Sequence, residues 1–285
     1  MAANTTGGTN VAVGQSALSS NTTASNNTAM GFNALGANTT AANNTAVGTS
    51  ALAANTTGAQ NTALGKSAMA ACTTGQDNVA VGGFAMDTLT TGSDNTACGY
   101  NSMTNITTGA DNTAVGEGSL YAVTTGYRNT SVGLDAGAAV TTGANNVLIG
   151  NSAGTSASPS TVTTGDNQLV LGDNNITHAH IKVDWTVSSD MRDKTDVTDL
   201  ETGLEFINQL KPKTYRWDQR SDYSLDKAVV PDGTHKKDQL DIGFMAQEVE
   251  ALEVQFGFDP SDKKNVLSTM SEDGTNCGIK YSKFV

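Results

Sequence analysis

The stretch NTAVGTSALAANTTGAQ, residues 44–60, decides the fold, because a close copy begins at residue 61 and another began at residue 27. The opening asparagine recurs at Asn10, Asn27, Asn44, Asn61, Asn78, Asn95, Asn112, Asn129 and Asn146, 17 residues apart each time. A tenth start is read at Asn167, 21 residues further on, with an insertion at or near SPST, residues 158–161. Each unit reads Asn, Thr or Val, a small residue, an apolar residue, Gly, two variable residues, a small residue, then Leu or Met. A polar stretch follows and usually ends Thr-Thr-Gly.

With Asn as position one, the fourth position is apolar throughout: Val13, Met30, Val47, Leu64, Val81, Cys98, Val115, Val132 and Ile149. It is expected to form one core stripe. The ninth position (Leu18, Leu35, Leu52, Met69, Met86, Met103, Leu120) is expected to form a second, interrupted at Gly137 and Gly154. The fifth-position glycine suits a corner that needs a positive φ or a close backbone approach. Thr-Thr-Gly makes another corner, and NTAVG alternates polar and apolar with strand spacing. A 17-residue unit is too short for a pair of helices. It has the length of one coil of a β-solenoid, whose coils stack to bury a shared core. Ten coils at about 4.8 Å give a rod of about 45 Å. Two apolar residues per coil are few, so coils from several chains are expected to pack together.

The Asn and Thr columns admit three readings. NTT matches the N-glycosylation sequon. Stacked threonines order water in ice-binding solenoids, but adjacent threonines on a strand face opposite ways, which spoils a flat array. The third reading has the asparagines satisfying backbone groups at turns and stacking coil on coil.

The chain has 285 residues and a formal net charge of −12. That balance argues against a nucleic-acid partner, whose phosphates are bound by Lys and Arg. Cys72, Cys98 and Cys277 are odd in number and far apart, neither a disulfide framework nor a zinc motif. The opening MAANTTGGTNVAVG has no basic or apolar signal region, so folding in a reducing cytosol is expected. No apolar run is long enough for a membrane span.

Composition changes after Asn167, before which Lys66 and Arg128 are the only basic residues. NQLVLG is read as a last coil and ITHAHIKVDWTV, residues 176–187, as one strand. LETGLEFINQLKP places Leu200, Leu204, Ile207 and Leu210 at helical spacing, and Pro212 ends the helix. KTYRW is a short strand with Tyr215 and Trp217 on one face, and 218–238 is a polar loop. LDIGFMAQEVEALEV passes from strand into an amphipathic helix carrying Val249 and Leu252. The expected organisation is a 17-residue-repeat solenoid over 1–166, a terminal coil and connecting strand over 167–188, and a small α+β domain over 189–285.

SDMRDK, GLEFINQLKPKTYRW and IGFMAQEVE, in that order, resemble the C-terminal intramolecular chaperone domain of phage tail fibres and tailspikes. This is the peptidase S74 type, also found in endosialidases and in myelin regulatory factor. The repeats are similar to those upstream of such domains, and to the β-roll heads of trimeric autotransporter adhesins. The resemblance implies a mainly β, trimeric fibre whose C-terminal domain trimerises, folds the fibre in register and then cuts itself off. The implied cut is Ser188–Ser189, with Ser189 as nucleophile and Lys194 assisting. A serine hydroxyl needs a base. A lysine, at about 10.4 in water, becomes one only when desolvated, which trimer assembly would supply. On the residues alone, SSDMRD also suits a helix cap.

His178 and His180 lie two apart on the predicted strand and point the same way. Around a threefold axis they would give six imidazoles, an octahedral transition-metal site; otherwise they are two surface histidines, and no other cofactor is expected. The resemblance further implies a place in the virion tail after folding in the host cytoplasm. Its expected partners are two further copies, other tail proteins and a host-surface receptor, glycan or protein, without membrane insertion. The alternative is a bacterial trimeric adhesin stalk, which needs a signal peptide and a membrane anchor. A glycan-cleaving fibre would need paired carboxylates in a cleft, and the repeats hold few acids.

Overall fold

The computed structural model describes residues 3–176, 203–218, 223, 230–258, 267–270 and 277–279. The chain divides into two compact units, Met1–Asn175 and Ile176–Val285.

The first unit is a β-solenoid. Each 17-residue coil contributes one three-residue strand: β1 (Val11–Val13), β2 (Thr28–Met30), β3 (Thr45–Val47), β4 (Thr62–Leu64), β5 (Val79–Val81), β6 (Thr96–Cys98), β7 (Thr113–Val115), β8 (Thr130–Val132), β9 (Val147–Ile149) and β10 (Leu169–Leu171). They form one parallel sheet in chain order. Pairing is strictly in register, so Ala29 lies beside Ala46, Ala46 beside Ala63, and Ala97 beside Ala114.

The last register corrects one expected boundary. Leu169 pairs with Val147, so the tenth coil opens at Gln168 rather than Asn167. The Gln168 N–H donates to Asn146 Oδ1 at 2.9 Å, the bond that an opening asparagine makes elsewhere. Asn167 stacks on Asn145 instead. The insertion is pinched shut where Gly154 N–H donates to the buried Ser158 hydroxyl and Val162 N–H donates to the Gly154 carbonyl.

The fourth position does not line the core. Val13 is 53% exposed, Leu64 47% and Ile149 43%, while the preceding small residues, such as Ala29, Ala63 and Ala114, are fully buried. Side chains on a strand alternate, so an inward third position forces the fourth outward. The inward residue is alanine in β1 to β7, because there the ninth position already fills the coil: Leu18, Leu35, Leu52, Met69, Met86, Met103 and Leu120 are wholly buried, as expected. A further core column lies at position twelve, within the stretch read as polar. It runs Asn21, Asn38, Asn55, Cys72, Leu89, Ile106, Val123, Val140 and Val162, all buried.

The corners explain the glycines. At Gly99 φ is +147°, and an added Cβ would stand 2.3 Å from the Gly116 carbonyl oxygen on the next coil. Positive φ and close approach therefore act together. The ninth-position residues also adopt left-handed backbone, with φ +50° at Leu52 and +51° at Met86. That conformation strains any residue with a side chain. Burying a Leu or Met side chain, about 1.5–3 kcal/mol, offsets it.

The asparagine columns hold the coils together, as the third reading expects. Asn112 N–H donates to Asn95 Oδ1 at 3.1 Å, and Asn112 Nδ2 donates to the Gly126 carbonyl at 2.8 Å. The same pair of bonds recurs along the column, leaving these buried amides satisfied. The two adjacent threonines divide their work. Thr56, Thr73 and Thr90 donate their hydroxyls to the threonine carbonyl one coil on, whereas Thr57, Thr74 and Thr91 are exposed.

Candidate assembly domain and processing site

The described parts of the second unit are α1 (Gly203–Gln209), β11 (Lys213–Tyr215), β12 (Asp241–Gly243), α2 (Ala246–Gln255), β13 (Ser268–Met270) and β14 (Cys277–Ile279). The β11–β12 and β13–β14 pairs are antiparallel. The expected helices are present, and the strand expected over KTYRW is found over Lys213–Tyr215 alone, with Trp217 beyond its end packed edge-to-face on Tyr215 at 5.5 Å.

The core is small. Phe206, Val249, Leu252 and Leu267 are buried, with Leu210, Phe244, Phe256 and Ile279 packed against them. Phe206 meets Phe256 edge-to-face at 5.4 Å. Val249 and Leu252 hold the inner face of α2 as expected. On α1 the buried residue is Phe206, while Leu204, at 76%, and Ile207 are exposed. The apolar spacing along α1 thus marks a helix whose stripe this unit covers only in part. Ile242 and Val254 are likewise open to solvent.

Glu253 is a buried charged residue that the pattern did not single out. It is wholly buried, and its carboxylate accepts the backbone N–H of Leu267 at 2.6 Å and of Ser268 at 3.1 Å, together with the Ser268 hydroxyl. Charge-assisted bonds of this kind compensate a buried carboxylate. They tie α2 to β13. The signal was available: Glu253 follows Val249 by four positions and so shares its face. An acid on the core face of a helix calls for fixed donors. Lys213 pairs with Glu248 on the surface, where an ion pair contributes little. In the loop, the Tyr223 hydroxyl lies 2.9 Å from carboxylate oxygens of Asp218 and Asp232 and accepts the N–H groups of Gly233 and Thr234.

The residues expected to cut the chain, Ser188, Ser189 and Lys194, lie outside the described residues, as do His178 and His180. Among the described residues, no group of three or more His, Cys, Asp or Glu side chains could hold a metal ion. No described helix is long and apolar enough to cross a membrane. Cys72 is buried in the solenoid, which pushes its thiol up to about 11, and Cys98 is exposed on β6.

Residues 189–257 match the family model of the peptidase S74 type, described as the chaperone of endosialidase. Searches of curated proteins and of solved structures found no match. The matched segment takes in α1, the β11–β12 pair and α2, and it ends two residues after α2. A periodic β-solenoid followed by a chaperone-of-endosialidase segment is an arrangement that fits a fibre or tailspike with a C-terminal chaperone domain.

Proposed function

We propose that this protein is a structural component of a phage tail fibre or spike, in which residues 189–285 bring three copies together, guide their folding and then cut themselves free. The observation that carries this reading is the order along the chain: ten in-register coils, then a chaperone match whose first residue is Ser189. That is the residue which becomes the new N-terminus if the Ser188–Ser189 bond is cut.

The chemistry follows from the residue types. Lys194, desolvated by assembly, takes the proton of the Ser189 hydroxyl. The Ser189 oxygen attacks the carbonyl carbon of Ser188, and the peptide nitrogen leaves as the free amine of Ser189. The ester so formed is hydrolysed by water, which gives a carboxylate on Ser188 and restores the hydroxyl. Each chain turns over once. Because the base forms only when lysine is buried, cleavage reports completed assembly.

The freed fibre then stays in the virion and meets a receptor on the host surface. The exposed rings of Phe32, Tyr100, Tyr121 and Tyr127 suit such a contact, since the buried solenoid core holds no aromatic residue. Denaturing electrophoresis of the wild type beside Ser189→Ala and Lys194→Ala tests the cut. The expected result is fragments of 1–188 and 189–285 in the wild type alone. Full-length chain in all three removes the self-cleavage step and leaves the chaperone role standing.

A further inference from the structure

The ten strands present two outward columns, positions two and four, on one face of the sheet. Position four carries Val13, Met30, Val47, Leu64, Val81, Cys98, Val115, Val132, Ile149 and Leu171, and position two carries only Thr, Val and Leu. None of these residues is charged, in a chain of net charge −12. Val13, Met30, Leu64, Val115, Val132, Ile149 and Leu171 are each exposed. The flanking columns differ in carrying charge, although exposed apolar residues such as Phe32, Tyr100 and Leu134 stand at position six as well. Position seventeen carries Asp77, Asp94, Asp111 and Arg128, and position six carries Lys66 and Glu117. A continuous exposed apolar stripe of this extent is characteristic of an interaction surface.

From this face we infer where the copies meet one another. The inference rests on the three-copy reading above. Three solenoids lie parallel with their uncharged faces toward a common axis, the aliphatic fourth position innermost. The face is roughly 43 Å long and 10 Å wide, about 430 Å² in projection. A stable interface buries about 800 Å² per partner. The projected stripe alone falls short of that, so the contact also draws in the columns on either side of it.

The same face cannot set its own register. It repeats every coil with side chains of similar size and no charge. A slip of one coil, about 4.8 Å, therefore places aliphatic on aliphatic again and loses only the end contact. Alignment has to come from outside the repeat, and the C-terminal unit is the non-repetitive part that can supply it. The periodicity of the solenoid and the presence of an assembly domain are then two sides of one requirement.

Cys98 provides the test, because it lies in the fourth-position column. Full-length Cys277→Ser protein is treated with a small thiol oxidant, which joins only sulfurs that meet directly and needs no room for a linker, after its mass in solution is measured. Cys72 stays protonated and shielded by its burial. The expected outcome is a trimer in which Cys98 links chains in pairs, leaving one thiol of every three unlinked. A trimer whose Cys98 is not cross-linked overturns the assigned face and leaves the trimer intact. A monomer overturns both. Val115→Lys provides a second readout: its trimers are expected to melt at a lower temperature than the wild type while the β circular dichroism is kept before the transition, and Asp111→Lys, outside the stripe, is expected to keep the wild-type midpoint. Trimers of unchanged thermal stability in Val115→Lys would also overturn the face.

Discussion

Leu148 fills the space that Gly137 leaves empty. A Cβ added to Gly137 would stand 2.7 Å from Leu148 Cδ1 and 2.8 Å from Leu120 Cδ2, and one added to Gly154 would stand 2.7 Å from Leu148 Cδ2. The ninth column loses its large side chain in two successive coils, and in the second of them the third position changes from small to Leu. Core volume is conserved across columns rather than within one. Leu148→Ala is expected to cost about 2–5 kcal/mol, the usual range for a buried Leu truncation. Gly137→Leu alone is expected to disrupt the core by overlap. The double variant should recover part of both losses, read as a coupling energy in urea denaturation at fixed protein concentration. Additive losses would mean that the columns do not share the volume.

The glycine corners separate two kinds of glycine. At Gly99 the added Cβ meets backbone at 2.3 Å and φ is +147°, so Gly99→Ala is expected to unfold or misstack the coils around it. At Gly83 the nearest atom is the Tyr100 ring at 3.4 Å, ordinary contact with a side chain that can shift. Gly83→Ala is expected to be neutral, or to stabilise by about 0.4–1 kcal/mol through the unfolded chain. Thermal melts of the two variants beside the wild type check the contrast.

The sequence revealed the solenoid because a 17-residue recurrence of Asn, Gly and Leu leaves a stacked coil as the simplest way to bury its apolar residues. It did not reveal which apolar column was inside. Hydrophobicity favours Val and Leu at position four, but strand alternation ties that choice to position three, and the interior has room only for a small residue there wherever the ninth position is Leu or Met. The twelfth column was hidden for another reason. Its first members are asparagines, and a buried asparagine ladder looks like a polar turn until the column becomes Leu89, Ile106 and Val123. In the second unit Val249 and Leu252 were legible from helical spacing. The spacing also puts Glu253 on the Val249 face, but what satisfies its carboxylate there shows only once Leu267 and Ser268 are found to donate to it.

Asp87 gives the solenoid a pH dependence. Burial raises its carboxyl above the ordinary range, opposed in part by its own backbone N–H and that of Thr88, and its Oδ1 has no hydrogen-bond partner. An acid whose folded pKa is raised holds its proton longer in the folded state. The stabilisation is complete below the unfolded value, about 3.9, and is lost as pH rises through the folded value. Asp87→Asn is therefore expected to stabilise the protein at neutral pH and to bring it closer to wild type near pH 4. Thermal midpoints of both proteins at the two pH values check this. An equal difference at both would assign the effect to something other than ionisation.

Cys72 ends a hydrogen-bonded ladder that Asn55 begins to extend. Asn38 Nδ2 donates to Asn21 Oδ1 at 3.1 Å, and Asn55 Nδ2 donates to Asn38 Oδ1 at 3.0 Å. Asn55 Oδ1 is then buried with no partner, because the next coil offers a thiol. That thiol makes only a weak contact, 3.7 Å to the Gly75 carbonyl, where Asn55 gives its own turn a bond of 2.9 Å to the Gly58 carbonyl. An asparagine at position 72 would place Nδ2 where both acceptors are waiting. Cys72→Asn is expected to gain about 1 kcal/mol, the net contribution of a satisfied bond. Cys72→Leu, which packs like Leu89 but leaves Asn55 Oδ1 unpaired, is expected to gain less. The two substitutions separate packing from hydrogen bonding at one site, and a larger gain for leucine would show that the orphaned oxygen costs the fold little.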